Sequence, residues 1–231
     1  GPTMWAMPVP VLSGNYCLYN DSTGYSEAAD SAVAIDFSQK DTLYAHADTF
    51  KVFTYNIRTD SVYRVMHAYR HMRAYRRDIQ AVCDSLVFNG QDSVMTMYHD
   101  PILWQEGQQL LGEEIKAFFN DSTIDSVQVL RQALSVERLD SIHYNQITGN
   151  EMHTYFRDGE VYLSTSIGNV YVNYFHMGED SILADMNRTE TTFLKIFLKD
   201  RKVDKIWMPA ATGSFYPIPL IPADMLYVEN F

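Results

Sequence analysis

The sequence predicts an all-β protein built from antiparallel strands. Three observations support this class: a short phrase that recurs along the chain, turn dipeptides that separate apolar runs, and a composition suited to pleated surfaces. The 231 residues include 16 Tyr and 12 Phe, while 11 Gly and 8 Pro are too few for a low-complexity chain. Because 46% of the residues are hydrophobic, the chain can bury a core of its own.

The recurring phrase has a small residue, then an acid or amide, and ends on bulky apolar side chains. Its copies begin at Ala29, Ala47, Cys83, Gly112, Gly149 and Gly168. The intervals between copies are one or two multiples of a hairpin, about two strands at 8 to 12 residues each. We therefore predict that each copy is a strand, including "LGEEIKAFF" at 111–119, which also resembles the start of an amphipathic helix.

Turn signals bound these strands. Asp158-Gly159 stands between two alternating apolar runs and strongly predicts a hairpin, and Asn89-Gly90 predicts a second one. Asp-Ser or Asp-Thr pairs begin at positions 30, 41, 48, 60, 84, 92, 125, 140 and 180. Because Asp and Ser side chains bond to nearby backbone groups in turns, we interpret these pairs as strand entries.

The domain organisation follows from the two ends of the chain. Gly1-Pro2 resembles the remnant of a cleaved tag, so we expect 1–13 to be a tag remnant and lead-in, with the natural leader missing from this sequence. Residues 14–208 are predicted to form one β domain, in which 62–83 is assigned to strand although a helical stride also fits. The prolines of 209–231 predict an extended C-terminal segment.

Charge and composition exclude several function classes. A net charge of −11 and a pI near 4.9 make nucleic acid an improbable partner, since phosphate binding needs a positive face. No apolar run reaches the roughly 18 residues of a membrane span. Cys17 and Cys83 fit no zinc or redox spacing; they are expected to be isolated thiols, with a disulfide as the alternative.

Two clusters of side chains are candidate sites. His67 and His71 have a spacing that metal ligands use, but no third ligand lies near them in sequence, so we expect no metal. The chain has no nucleophile elbow or other catalytic signature, so we expect neither an enzyme nor a cofactor. The second cluster is basic and contains Arg64, Arg70, Arg73, Arg76 and Arg77. It forms either a solvated strand face or a contact for an anionic head group or an acidic partner.

The ordered series of phrases resembles the OstA-like family of LptA-type lipopolysaccharide-transport proteins. The phrases that carry the resemblance are "DTLYAHADTF", "QAVCDSLVF", "MYHDPILW", "QQLLGEEIKAFF", "NQITGNEMHTYF" and "GNVYVNYF", between about Gly24 and Trp207. The resemblance implies an elongated antiparallel β-jellyroll, or β-taco, whose two sheets splay into a V. It also implies a periplasmic protein of a Gram-negative bacterium that takes part in outer-membrane biogenesis by carrying lipopolysaccharide between the two membranes.

An open V of this kind would hold acyl chains on its inward side chains, and strand parity decides which these are. Taking the small residue of each phrase as inward assigns Leu43, Ala45, Ile79, Ala81, Leu110 and Ile147 to the lipid groove. The opposite parity selects Phe50, Leu86, Ile115 and Met152. A bulge at the small residue would place both sets inside, because a bulge shifts the phase of a strand.

The expected partners are lipopolysaccharide and other transport proteins of similar fold. Open sheet edges can add a strand from another chain, which predicts a head-to-tail homo-oligomer. Two alternatives stay open: a structural or adhesive β-repeat module with a closed core, and a carbohydrate-binding β-sandwich in which Trp104 or Trp207 stacks on sugars.

Overall fold

The computed structural model describes residues 11–36, 42–77, 79–105, 107–120, 123–178, 182–229 and 231. Its described part is all-β with antiparallel pairing, which confirms the predicted class. The strands are β1 (Val11–Ser13), β2 (Tyr16–Asn20), β3 (Tyr25–Asp36), β4 (Leu43–Tyr55), β5 (Tyr63–Tyr69), β6 (Met72–Tyr75), β7 (Ile79–Cys83), β8 (Ser85–Asn89), β9 (Val94–Tyr98), β10 (Ile102–Gln105), β11 (Gln108–Leu111), β12 (Glu114–Phe119), β13 (Ile124–Arg138), β14 (Tyr144–Arg157), β15 (Glu160–Met177), β16 (Leu183–Lys199), β17 (Lys202–Trp207) and β18 (Ala211–Pro217). A 3-10 turn, Ile218–Leu220, follows β18.

The chain divides into two compact units. Unit 1 contains residues 1–105 and 114–124, and unit 2 contains residues 106–113 and 125–231. In unit 1, β1 and β2 pair with β3, β3 pairs with β4, and β4 pairs with both β5 and β6. The ladder then runs along two branches, β5–β8–β9–β12 and β6–β7–β10. In unit 2 the order is β11–β13–β14–β15–β16, and β17 and β18 both pair with β16.

The strand and hairpin predictions hold where the chain was ambiguous. The described residues of 62–83 contain β5, β6 and β7, and the helix-like stretch 111–119 contains β12. Asp158 and Gly159 connect β14 to β15 with φ angles of 54° and 80°. Positive φ at both central residues is the geometry that matches the twist of a two-residue hairpin. The Asn89-Gly90 hairpin joins β8 to β9 through a longer turn.

The recurring phrase marks a bend inside the sheet, which differs from the predicted strand entries at positions 30 and 48. The entry predicted at Asp84-Ser85 is present, because β8 begins at Ser85. At each bend, two consecutive residues have positive φ, either within one strand or between two successive strands, and we call them a left-handed pair. The pairs are Asp30-Ser31, Arg70-His71, His99-Asp100, Arg131-Gln132 and Gly168-Asn169. The neighbouring strand has the small residue and acid or amide of the phrase, as at Ala47-Asp48, Cys83-Asp84, Gly112-Glu113 and Gly149-Asn150. We call each such bend a corner.

Each corner shifts the pairing register by one residue. The shift between β13 and β14 lies at Leu130/Ala133, and that between β3 and β4 lies at Ala29/Ala32. A shift of this kind is a β-bulge, which bends a strand and changes the face that its later side chains occupy. Strands on either side of a corner therefore form two arms. In unit 1, arm A contains Phe50 and arm B contains Ala45; in unit 2, arm A contains Met152 and arm B contains Ile147.

The bonds across each corner join the left-handed pair to the acid of the phrase. In unit 1, the Asp48 amide donates to the Arg70 carbonyl at 3.1 Å, and His71 Nδ1 lies 3.1 Å from an Asp48 carboxylate oxygen. In unit 2, the Glu113 amide donates to the Arg131 carbonyl at 3.2 Å, and Arg131 Nε donates to Glu113 Oε2 at 2.7 Å. The backbone amide of the acid therefore satisfies a carbonyl of the left-handed pair, and its carboxylate contacts a side-chain nitrogen of the same pair.

The segment 209–231, predicted to be extended, begins with a paired strand. β18 pairs with β16 from Thr191↔Ala211 to Asp185↔Pro217. Pro217 lies at the last paired position, where a residue without a backbone N–H is tolerated. After the 3-10 turn, residues 222–229 and 231 return across β13–β16 without forming a strand, and we call these residues the strap.

Candidate functional site

In arm A of unit 1, the inward side chains form one closely packed row. The cross-strand register aligns Ala28, Phe50, Ala68, Leu86, Met97 and Ile115. Each of these residues is at most 2% exposed. Three of them, Phe50, Leu86 and Ile115, belong to the opposite-parity set of the sequence prediction. This row is a filled core.

Arm B of unit 1 contains four of the six predicted groove residues on one face. Ala45 and Ala81 occupy the same row, joined through Ala74, and both are buried. Leu43 and Ile79 lie two residues before them in β4 and β7, so they share that face, and both are half-buried. Small side chains dominate this row, which also contains Ala34 and Leu103.

The corner explains why residues of both predicted parity sets are buried. Phe50 and Ala47, both inaccessible to solvent, are three residues apart on β4, an odd interval that would place them on opposite faces of a regular strand. The register shift between them restores a common side. Of the arrangements considered from the sequence, the one with a bulge at the small residue accounts for this burial, and its extra residue lies in β3, at Asp30-Ser31, opposite Asp48 and next to Ala47.

In unit 2, arm B has a less buried apolar row. Leu110, Ser135, Ile147, Val172, Thr189 and Gly213 align across the strands. Leu110, Ile147 and Val172 are half-buried. Tyr174 and Phe215 are on the same face, because each lies two residues from a member of the row, and they are 50% and 73% exposed. In arm A of this unit, the row of Val129, Met152, Ser166 and Leu194 is at most 3% exposed.

The opposite face of the same arm holds the strap. Gln146 and Asn173, next to Ile147 and Val172 in sequence, point away from the apolar row and have no solvent exposure. Their carboxamides bond to the strap backbone, and Val228 packs with Leu134 and Val136. Sequence reasoning missed these two amides, because their partners lie 50 to 80 residues away along the chain.

The predicted arginine cluster is spread along unit 1. Arg64 on β5 pairs with Thr54 near the end of β4, whereas Arg73 on β6 pairs with His46 near its start. Arg70 is in a left-handed pair, and Arg76 and Arg77 follow β6. Arg70, Arg73 and Arg77 are exposed, so they remain accessible to an anion.

The two candidate metal ligands have other contacts. The His67 ring packs edge-on against Phe53 at 5.6 Å and stacks on Tyr69 at 5.7 Å, and burial lowers its pKa from 6.5. His71 bonds to Asp48 at the corner. Within the described ranges, no three His, Cys, Asp or Glu side chains are grouped as a metal site would require.

The two cysteines are both free thiols. Cys17 is exposed on β2, whereas Cys83 is buried at a corner, where its thiol donates to the Ser85 carbonyl at 3.2 Å. Burial raises the pKa of Cys83 to about 12. The Cys83 thiol is therefore protonated at neutral pH and chemically inert.

An open cleft of about 380 Å³ lies beside the last corner of unit 2. Asn169, Tyr171, Glu190 and Thr191 are among the residues that line it, and none of the six predicted groove residues does. Trp207 is 46% exposed and packs edge-on against Phe193 at 5.7 Å. Trp104 is half-buried on β10.

No protein-family model matches this chain, and no curated protein matches it. In the part of the chain that the structure describes, no helix is long and apolar enough to cross a lipid bilayer.

Proposed function

We propose that this protein binds the acyl chains of lipopolysaccharide and carries them between the inner and outer membranes, without catalysing a reaction. The observation that carries the proposal is the half-buried row of Leu110, Ile147 and Val172 in unit 2, which continues into exposed Tyr174 and Phe215. An apolar face that its own chain leaves partly uncovered is what a hydrocarbon ligand requires. The resemblance to OstA-like proteins adds the substrate class and the periplasmic location.

The proposal includes the finer fold, in which each unit by itself is a V-shaped jellyroll. Support comes from the corners, whose register shifts divide each unit into two arms. Inward apolar side chains on both arms would then line the inner surface of the V. In unit 1 this surface is filled by Phe50 and its row, so we place the lipid chain at arm B of unit 2.

The energetics suit a carrier that hydrolyses no nucleotide. Each methylene removed from water contributes about 0.8 kcal/mol, so a chain of twelve methylenes contributes roughly 10 kcal/mol before the cost of ordering. Movement along a uniform apolar row costs little, because contacts that are lost behind the chain form again ahead of it. A gradient or an upstream energy-consuming partner would then supply the direction.

Partners would join at the ends of the strand ladders. β2 is exposed along its whole length in unit 1, as is β17 in unit 2, and each pairs with a single described strand. Their exposed apolar residues include Leu18 and Tyr19 on β2 and Val203 and Ile206 on β17. Strand addition at these edges is the proposed contact with related transport proteins or with a second copy. Arg70, Arg73 and Arg77 would contact phosphate groups of the lipid.

Site-specific photo-crosslinking tests the proposal. A photoreactive phenylalanine at Ile147 is expected to label lipopolysaccharide, and a second at Leu110 is expected to do the same. The matched control is His153, which is on the same strand, is also half-buried, and faces away from Met152 and the interior of arm A. Labelling at His153 equal to that at Ile147, or no labelling at either groove position, would contradict the proposal.

A structural module with a closed core is the second candidate. It is favoured by the six residues of the arm A row in unit 1, which leave no room for a ligand between them. The same crosslinking distinguishes the two functions, because a closed module would give no lipid adduct at Ile147 while the chain remained folded.

A further inference from the structure

The strap is bound to unit 2 by hydrogen bonds between side chains of the sheet and the strap backbone, whereas the strands of unit 2 pair backbone to backbone. Gln146 Nε2 donates to the Leu226 carbonyl at 3.0 Å, and the Val228 amide donates to Gln146 Oε1 at 2.8 Å. Asn173 Nδ2 and Arg188 Nη1 both donate to the Met225 carbonyl at 3.0 Å. The strap is therefore held by its backbone, through three side chains of β14, β15 and β16.

The Gln146 carboxamide acts as a substitute for the edge of a β-strand. It accepts from the N–H of residue 228 and donates to the carbonyl of residue 226, as a neighbouring strand would do. Bonds to the backbone do not depend on side-chain identity, so they fit an extended segment of any sequence. Asn173 Oδ1 is buried and has no hydrogen-bond partner among the described residues, which leaves one acceptor available.

Three side chains of the strap make selective contacts. Val228 is 4% exposed and packs with Leu134 and Val136, so an aliphatic residue is required there. The rings of Tyr227 and Phe231 stack with centroids 4.7 Å apart, and both pack near the Tyr144 ring. Ala223, Asp224 and Glu229 are exposed and contribute no apolar contact of this kind.

We propose that this face of β13–β16 is a binding site for an extended peptide, that the chain's own strap fills it in cis, and that it accepts the strap of a second copy. The ligand class is an extended segment with an aromatic residue followed by an aliphatic one. The site is on the face opposite Ile147, so it is separate from the lipid site proposed above. A short tether holds a cis ligand at an effective concentration on the order of millimolar, so exchange requires the strap to be loosened.

The test uses the full chain with a weakened strap. Val228→Asp places a charge in the aliphatic pocket and is expected to release the strap. A fluorescent peptide of residues 222–231 with the natural sequence should then bind at least tenfold more tightly than it binds the unsubstituted chain, as measured by anisotropy. Tyr227→Ala is run in parallel as a milder change, which removes the Tyr227 hydroxyl bond to the Ile142 carbonyl.

Peptide variants test the backbone bonds. N-methylation at Val228 removes the donor to Gln146 and is expected to weaken peptide binding about tenfold or more, because it leaves a buried acceptor unpaired. N-methylation at Asp224 is the control and should have little effect. Gln146→Ala in the weakened chains should abolish the difference between the two peptides. Equal binding of the two methylated peptides, or no peptide binding by either weakened chain while circular dichroism shows it folded, would overturn the proposal.

Discussion

Replacing Gly168 by alanine tests whether the corner is as crowded as its contacts indicate. Gly168 has φ +71°, and a Cβ there would overlap the side-chain amide of Asn150, with Asn150 Cγ at 2.9 Å. Gly159 is the matched control, because it has φ +80° and no atom within 4 Å of the added Cβ. Both glycines belong to unit 2 and have a left-handed backbone. The two substitutions therefore differ in whether the added Cβ meets a neighbouring side chain, which at Gly168 is Asn150.

The left-handed conformation costs an alanine roughly 1–2 kcal/mol. Part of this is offset by about 0.4–1 kcal/mol, since alanine reduces the entropy of the unfolded chain. Gly159→Ala should therefore destabilise the protein by about 1 kcal/mol. Gly168→Ala adds the displacement of Asn150, an overpacking cost of about 1–3 kcal/mol, so its total should be roughly 2–4 kcal/mol.

Urea unfolding followed by circular dichroism measures both changes. With a denaturant slope of about 3 kcal/mol/M, the midpoint should fall by about 0.3 M for Gly159→Ala and by about 0.7–1.3 M for Gly168→Ala. Adding Asn150→Ala to Gly168→Ala should recover about 1 kcal/mol or more relative to additivity, because the overlapping amide is gone. If Gly168→Ala costs no more than Gly159→Ala, or if the double variant is additive, the description of the corner is wrong.

Two further predictions concern the buried row and His67 of unit 1. Leu86→Ala should lower the free energy of unfolding by about 2–5 kcal/mol, because Leu86 is 1% exposed. Val87→Ala, on the opposite, half-buried face, should lower it by about 1 kcal/mol. Equal urea midpoints for the two variants would refute the packed row. The pKa of His67 is lowered from 6.5 by burial, so the unfolded chain binds a proton more readily, and stability should fall as pH drops through 6.5 and level off below the folded pKa. His67→Gln should flatten that part of the stability profile between pH 7.5 and pH 5, and an unchanged profile would show that His67 does not contribute.

The strand content could be predicted from the sequence because it is a local property. Alternating apolar residues and the Asp158-Gly159 turn specify a hairpin by themselves, and the structure has it. The recurring phrase was also visible, but its role was not. Arg131-Gln132 adopts positive φ at two residue types that do not favour it, so the bend there cannot be inferred from residue type.

The candidate groove could be predicted only as a set of alternatives. Parity assigns Ala45 or Phe50 to the interior, and the structure buries both because a one-residue shift lies between them. The strap was not predictable for a different reason. Gln146 contacts Leu226 across 80 residues of chain, and a lone glutamine in an alternating strand gives no sign that it will be fully buried.

The magnitudes show what keeps the left-handed pairs in place. Arg131 and Gln132 each cost roughly 1–2 kcal/mol in that conformation. The ion pair between Arg131 and Glu113 has side chains 56% and 43% exposed, and an exposed pair contributes about 0–1 kcal/mol, which is too little. The backbone bond from Glu113 to Arg131 adds about 0.5–1.5 kcal/mol. Val129 and Ala133, on either side of the corner, are each 1% exposed, and burial of a valine side chain alone contributes about 1.5–3 kcal/mol. The corner therefore persists because it lets both arms of one strand bury apolar side chains, and the ion pair only orients the side chains that the bend exposes.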